Sequence, residues 1–290
     1  MVESIENKFI QITARPSGAE LVSVKNKKND REYLWQGDPQ FWPRRAPVLF
    51  PIVGKLSNNS YSVNGETFDM PQHGLARNSL FNLTSKTEDS LVYTLASDEE
   101  TLKTYPFRFQ FEVTYTLIEN EVKVHYKISN TDSKKIWFSI GGHPGFNCPL
   151  LPGEKFSDYY IEFEKEETLE RHLLDDGLFN GKKETVLKNG SELQLSTELF
   201  AKDALVFKNL KSEKVCLKSK RSSYSLEFLF KGFPYLGIWT KGQGSPFVCI
   251  EPWLGLADNK GFTGDLSEKE GILSLEPEKV FDCEYSFRIG

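Results

Sequence analysis

The chain has 290 residues, 39% of them hydrophobic and 27% charged, and its 36 Lys+Arg against 41 Asp+Glu give a formal net charge of −5. That balance excludes a polyanion binder such as a nucleic-acid protein, which needs a basic excess or cluster, and it suits a soluble globular chain with a substantial core. With Phe 22 and Tyr 11 against Met 2, the apolar set favours half-buried pleated strands over helices.

The opening segment MVESIENKFIQI carries no apolar signal-peptide core. No run of about 18 apolar residues follows it, so no membrane association is expected. Cys148, Cys216, Cys249 and Cys283 are scattered without metal-site or redox spacing, and reduced thiols in a cytoplasmic protein are the expectation. Phe9–Thr13 and Ala19–Lys25 read as short strands parted by the turn Pro16-Ser17-Gly18, with the charged run Lys25–Glu32 as a solvated hairpin tip. In residues 34–56, Pro39, Pro43, Pro47 and Pro51 rule out a helix interior. This irregular stretch brings Trp35 and Trp42 near Arg44, Arg45 and Lys55, the mixture of aromatic faces and hydrogen-bond donors that a sugar site uses.

Residues 58–69 form a hairpin pattern around Asn64-Gly65, leading to a loop with His73 and Arg77 that no periodic element explains. Phe107 through Leu117 alternate with polar residues, then Val122 through Ile128 continue after Glu119-Asn120: a long antiparallel hairpin with His125 on its polar face. Phe156–Glu167 reads as a strand, and Glu170–Lys188 as a polar loop with His172 at the surface. Short strands are expected at Glu192–Thr197, Ala204–Phe207, Val215–Ser219, Tyr224–Phe230, Leu236–Thr240 and Phe247–Ile250, and a brief helical turn at Leu266–Glu270. Strands from end to end predict one all-β domain over residues 1–290, a large antiparallel sandwich.

Three places carry possible chemistry. In SIGGHPGFNCPL, Gly141 and Gly142 permit positive φ and close approach, while Pro144 holds His143 in extended geometry, suiting a fixed acid or base. In FVCIEPWLGLAD, Glu251 stands at an apolar strand's exit before Pro252, where partial desolvation beside Trp253 raises a carboxyl pKa. Asp203 stands at the entry of a strand in LFAKDALVF.

The ordered set HGLARN (73–78), GGHPGFNCPL (141–150) and CIEPWLGLAD (249–258), with WQGDP and LFPIVGKL upstream, resembles the aldose 1-epimerase or galactose mutarotase family, most nearly its LacX-like bacterial branch. The resemblance spans the chain and implies a large antiparallel β-supersandwich that binds a hexose in an open cleft and needs no cofactor or metal. It implies that His143 is the general acid at the ring oxygen, Glu251 the base at the anomeric hydroxyl and His73 an assisting histidine. Lys55, Arg77, Asp203, Trp253 and Asn147 are then the candidate substrate contacts. Where galactose-type members carry Pro-Tyr-Phe-Asn after the histidine and a Gln two positions after the glutamate, this chain has Pro144-Gly145-Phe146-Asn147 and Trp253, which bears on the sugar preferred.

The resulting expectation is a mutarotase for an aldohexose of galactose or glucose type. It acts on a small sugar, without nucleic acid or membrane, and is compatible with a homodimer. Three alternatives stand beside it: a hexose-6-phosphate 1-epimerase, a non-catalytic carbohydrate-binding protein built on Trp35, Trp42 and Trp253, and a metal site made of His73, His143 and Glu251. Against the phosphate reading, Arg44 and Arg45 are adjacent on an extended stretch, so only one of them should reach a given site.

Overall fold

The alternation of large apolar and polar side chains builds antiparallel ladders throughout the computed structural model, which describes residues 1–242 and 244–290. Every pairing between its named strands is antiparallel. Fifteen strands join into one sheet; a four-stranded sheet at the N-terminus and two hairpin-sized sheets complete the set. This is the large antiparallel β-supersandwich expected. Among the described residues no helix is long and apolar enough to cross a membrane.

The hairpin at 107–128 shows how pattern becomes packing. Phe109–Ile118 pairs with Glu121–Asn130 in a register that sets Leu117 opposite Val122. Alternate residues Phe109, Phe111, Val113 and Tyr115 are buried, as a period of two requires. Tyr115 donates its hydroxyl to the Ala19 carbonyl at 2.6 Å, so this sheet packs on the N-terminal one, whose Ile10, Ile12 and Ala14 join the same core. Asn64 and Gly65 have φ of 52° and 84°, the paired left-handed residues of a tight hairpin turn. His125 lies on the polar face, with Nε2 3.0 Å from Asp282 Oδ1.

The segment read as a polar loop, Glu170–Lys188, is instead the outer half of the hairpin Tyr159–Asp175 and Leu178–Gln194, which turns at Asp176-Gly177. Register shifts interrupt its ladder, and most of the second strand's side chains face solvent. Backbone pairing and polar cross-strand contacts such as Arg171–Glu184 sustain much of it there, so no regular apolar alternation marks it in the sequence. A short helix at Glu99–Thr104, capped by Asp98 and Thr101, likewise has no fully buried residue and carries no core-facing apolar stripe.

The tip of this long hairpin is tied down by a buried ion pair. Lys269 Nζ lies 2.7 Å from Asp258 Oδ1 with side chains only 2% and 3% exposed, and Asp258 Oδ2 accepts the Ser57 amide. The Asp258 carbonyl accepts the Phe179 amide, and its own amide donates to the Lys55 carbonyl, so one residue joins three segments. Lys269→Met should therefore strand a buried carboxylate and lower unfolding free energy by about 3 kcal/mol in urea titrations. A loss below about 1 kcal/mol would show that the pair is not a tie point.

Candidate active site

One strand register brings the two chief candidates together. Gly141 pairs with Trp253 and Gly145 with Cys249, so the 140–147 segment runs along the Phe247–Leu254 strand on both sides of a gap. Continuing that register sets His143 opposite Glu251, and Nε2 of the first lies 3.2 Å from Oε2 of the second. The contact is close, but Oε2 makes no hydrogen bond of good geometry. Pro144 opens the gap: it has no amide to donate, while its carbonyl accepts from Ile250.

The glycines before His143 act by close approach alone. Neither has positive φ, contrary to one expectation from the sequence. A Cβ on Gly141 would stand 2.8 Å from the Pro252 carbonyl oxygen, and one on Gly142 would stand 2.7 Å from the Tyr285 hydroxyl. Glu251 is also not at a strand exit: it sits inside Phe247–Leu254, paired on its far side with Gly237. Burial there is nearly complete, with Glu251 1% exposed and His143 8%.

His73 comes from a loop stitched to residues 50–54. Its amide donates to the Gly54 carbonyl and its Nδ1 accepts the Gly54 amide at 3.1 Å, so the neutral ring carries its proton on Nε2. His73 has φ of 66°, a left-handed value that costs about 1–3 kcal/mol in a non-glycine residue. Gly74 follows at φ 75°, where a Cβ would meet the Phe50 carbonyl oxygen at 2.3 Å. The His73 ring stands edge-on to His143 at 5.5 Å, while Trp42 stacks on His143 at 4.9 Å.

These residues line a cavity of about 200 Å³ with Gln72, Arg77, Asp203, Trp239 and Trp253, and with an apolar wall that includes Leu174, Phe179 and Val206. Desolvation sets its electrostatics. Burial pushes the Glu251 carboxyl well above 4.5, with the Asp203 charge adding to the rise and the Trp253 indole opposing it. Burial pushes His143 down to about 3 and His73 well below 6.5, in the latter with His143 and Arg77 contributing. Arg77 is lowered to about 10 by burial and by Arg44.

Arg44 stands behind Arg77, donating to the Arg77 carbonyl and, at 2.8 Å, to Asn78 Oδ1. Arg77 itself donates to the Gln72 carbonyl. Asp203, at φ 72°, accepts the Ala204 amide and faces the cavity. Two candidates lie elsewhere. Lys55 pairs with Asp176 at 2.7 Å in an adjoining groove, because the hairpin tip reaches over to it. Asn147 donates to the Glu32 carbonyl and holds strands together apart from the cavity. Trp35 is also core, stacked on Phe247 at 4.9 Å. Trp239 and Gln72 are cavity residues that the sequence did not single out; Gly237 within the Tyr235–Trp239 strand was the available signal for Trp239, since strand glycines mark close approach.

Comparison with known proteins shows the family. The aldose 1-epimerase family model matches residues 1–261. The chain belongs to the aldose 1-epimerase family. It is similar to Protein LacX (chromosomal) of Lactococcus lactis subsp. lactis, 33% identical over 298 residues that cover 100% of this chain and 99% of the relative. A galactose mutarotase related enzyme from Lactobacillus acidophilus superposes with TM-score 0.96 at 37% identity, covering 100% of this chain and 97% of that one. A galactose mutarotase-like protein from Lactobacillus casei ATCC 334 does so at TM-score 0.95 and 33% identity, each chain fully covered.

For an aldose 1-epimerase, the protonation state of this cleft is the informative observable. Because burial disfavours the imidazolium, His73 and His143 should both stay neutral as pH passes down through the ordinary histidine value of 6.5. Nitrogen-15 NMR of the histidine rings should show this, with His73 as the Nε2–H tautomer; a protonated ring at pH 6.5 for either would contradict the burial argument.

Proposed function

We propose that this protein interconverts the α- and β-anomers of a free aldohexose of galactose or glucose type by acid/base ring opening and reclosure, as a member of the LacX-like branch of its family. The observation that carries this reading is the buried His143–Glu251 contact of 3.2 Å on the wall of a sugar-sized cavity. Trp42 and Trp239 offer aromatic faces for sugar C–H groups, and Gln72, Arg77 and Asp203 offer partners for hydroxyls.

Glu251 takes the proton of the C1 hydroxyl while His143 gives one to the ring oxygen. The C1–O5 bond breaks, and the open aldehyde turns about C1–C2. O5 then attacks the other carbonyl face as both protons return. Neutral carboxyl plus neutral imidazole holds the same single transferable proton as carboxylate plus imidazolium. A shift across 3.2 Å therefore makes Glu251 the base and His143 the acid. Sugar hydroxyls that hydrogen-bond the orphaned Glu251 Oε2 favour the ionised carboxylate. His73, with Nε2 bearing its proton, donates toward the ring oxygen in this reading. Each positioned group contributes about 10²–10⁴-fold.

Polarimetry of freshly dissolved α-glucose and α-galactose tests the activity; rates equal to buffer across an aldose panel would overturn it. Glu251→Gln and His143→Asn should each lower kcat by about 100-fold or more with circular dichroism unchanged, whereas His125→Asn should alter little. Near-normal turnover in the Glu251 variant would remove its role as base.

The pH profile follows from the one-proton pair. A second proton enters only as pH falls toward the His143 value of about 3, and the single proton is lost only above the raised Glu251 value. A plot of kcat/KM should therefore show no fall from histidine protonation as pH drops through 6.5, and a unit-slope acid-side loss there would point to an ordinary exposed histidine instead.

Charge supports a free sugar over its 6-phosphate. Among the described cavity residues Arg77 is the one Lys or Arg, since Arg44 is engaged with Asn78 and Lys55 with Asp176. A phosphate pocket needs several converging donors to offset desolvation. The kcat/KM for glucose or galactose should exceed that for the matching 6-phosphate; a roughly tenfold advantage for the phosphate, removed by Arg77→Ala, would reverse the choice.

A further inference from the structure

We propose that His143, Cys249 and Glu251 form a site for a thiophilic divalent cation of the zinc class, and that occupation of this site switches the cleft off. One ligand atom from each of the three side chains lies within 4.8 Å of the other two, and all three residues are buried. One of the ligand atoms is an orphan: Glu251 Oε2 makes no hydrogen bond, although the residue is 1% exposed. Cys249 holds a free buried thiol for which anomer exchange has no use.

The fold explains the cluster. Cys249 and Glu251 are two apart on the Phe247–Leu254 strand and so share a face, and His143 meets them from across the register gap. Zinc bonds of about 2.0–2.2 Å to nitrogen or oxygen and about 2.3 Å to sulfur place tetrahedral ligand atoms roughly 3.3–3.6 Å apart. His143 Nε2 and Glu251 Oε2 are already 3.2 Å apart, and side-chain adjustment can bring in the sulfur. His143 and Glu251 line the cavity, which gives the ion its entrance and a water or hydroxyl its fourth position. Imidazole with thiolate selects zinc, cobalt(II) or cadmium over magnesium and calcium.

As the metal–sulfur bond forms, the thiol proton leaves to solvent; any proton on the Glu251 carboxyl leaves likewise, and no electron changes hands. The ion then occupies the lone pairs that both proton-transfer partners need, and it competes with sugar for the same space. The inhibitory half of this inference rests on the proposed mutarotase activity; the binding half does not.

Cobalt(II) titration of the full reduced chain separates the two. Wild type should develop a thiolate-to-cobalt band in the near ultraviolet and tetrahedral bands in the visible, both displaced by zinc. A variant with Cys148, Cys216 and Cys283 all changed to Ala should keep them. Cys249→Ala should lose the near-ultraviolet band and bind about 10-fold or more weakly; if it fails to fold, Cys249→Ser serves the same comparison. No band in wild type, or a band that persists without Cys249, would overturn the site. In the anomer-exchange assay zinc should inhibit wild type, reversibly with chelator, and spare Cys249→Ala. Zinc-insensitive turnover alongside a positive optical titration would overturn the inhibitory half. If no aldose is turned over, the proposed activity fails and the optical titration still decides the site.

Discussion

The register of the Phe247–Leu254 strand is the constraint on which the site depends. On one side it pairs with both halves of the 140–147 segment, on the other with Tyr235–Trp239. Those pairings fix Glu251 opposite His143 and bring Trp239 to the same cavity. A slip of one residue would send Glu251 to the opposite face of the sheet. The close packing at Gly141 and Gly142, where a Cβ would collide with Pro252 or Tyr285, makes such a slip sterically costly. His143 and Glu251 are therefore positioned by backbone pairing, and their side chains need few hydrogen bonds of their own to stay in place.

That economy leaves polar atoms free. Buried nitrogen and oxygen without partners are costly, about 1–3 kcal/mol each, and His143 Nδ1, Glu251 Oε2, Trp253 Nε1 and Arg77 Nε all fall in this class around one cavity. Such a concentration fits a surface whose hydrogen bonds are completed by a ligand rich in hydroxyls. The same desolvation disfavours the charged form of both members of the His143–Glu251 pair, raising the carboxyl and lowering the imidazole.

The surroundings divide into rigid and tethered parts. His143 and Glu251 lie on the continuous sheet, whereas Leu174, Gly177 and Phe179 reach the cavity from the long hairpin. Lys55–Asp176, the Lys260–Asp175 ion pair and the Asp258 backbone contacts tether that hairpin's tip. Lys55 thus shapes the cavity's rim through the tip, which is a different use of the position from direct contact with sugar.

The sequence alone determined the all-β architecture, because period-two burial of aromatics such as Phe109, Phe111 and Tyr115 is a local property that one strand displays by itself. It also singled out His73, His143, Asp203 and Glu251, since proline, glycine and strand-end positions mark backbone that packing does not explain. Tertiary structure decided the rest. Only the strand register shows that His143 meets Glu251 and that Glu251 lies inside its strand, because register joins segments about a hundred residues apart. Only the long hairpin, invisible as an apolar pattern, takes Lys55 away from the cavity through Asp176, and only the pairing of the Gly145–Asn147 strand commits Asn147 to the Glu32 carbonyl. Those outcomes turn on which distant segment lies against a given side chain in the folded chain, and no local pattern of residues records that.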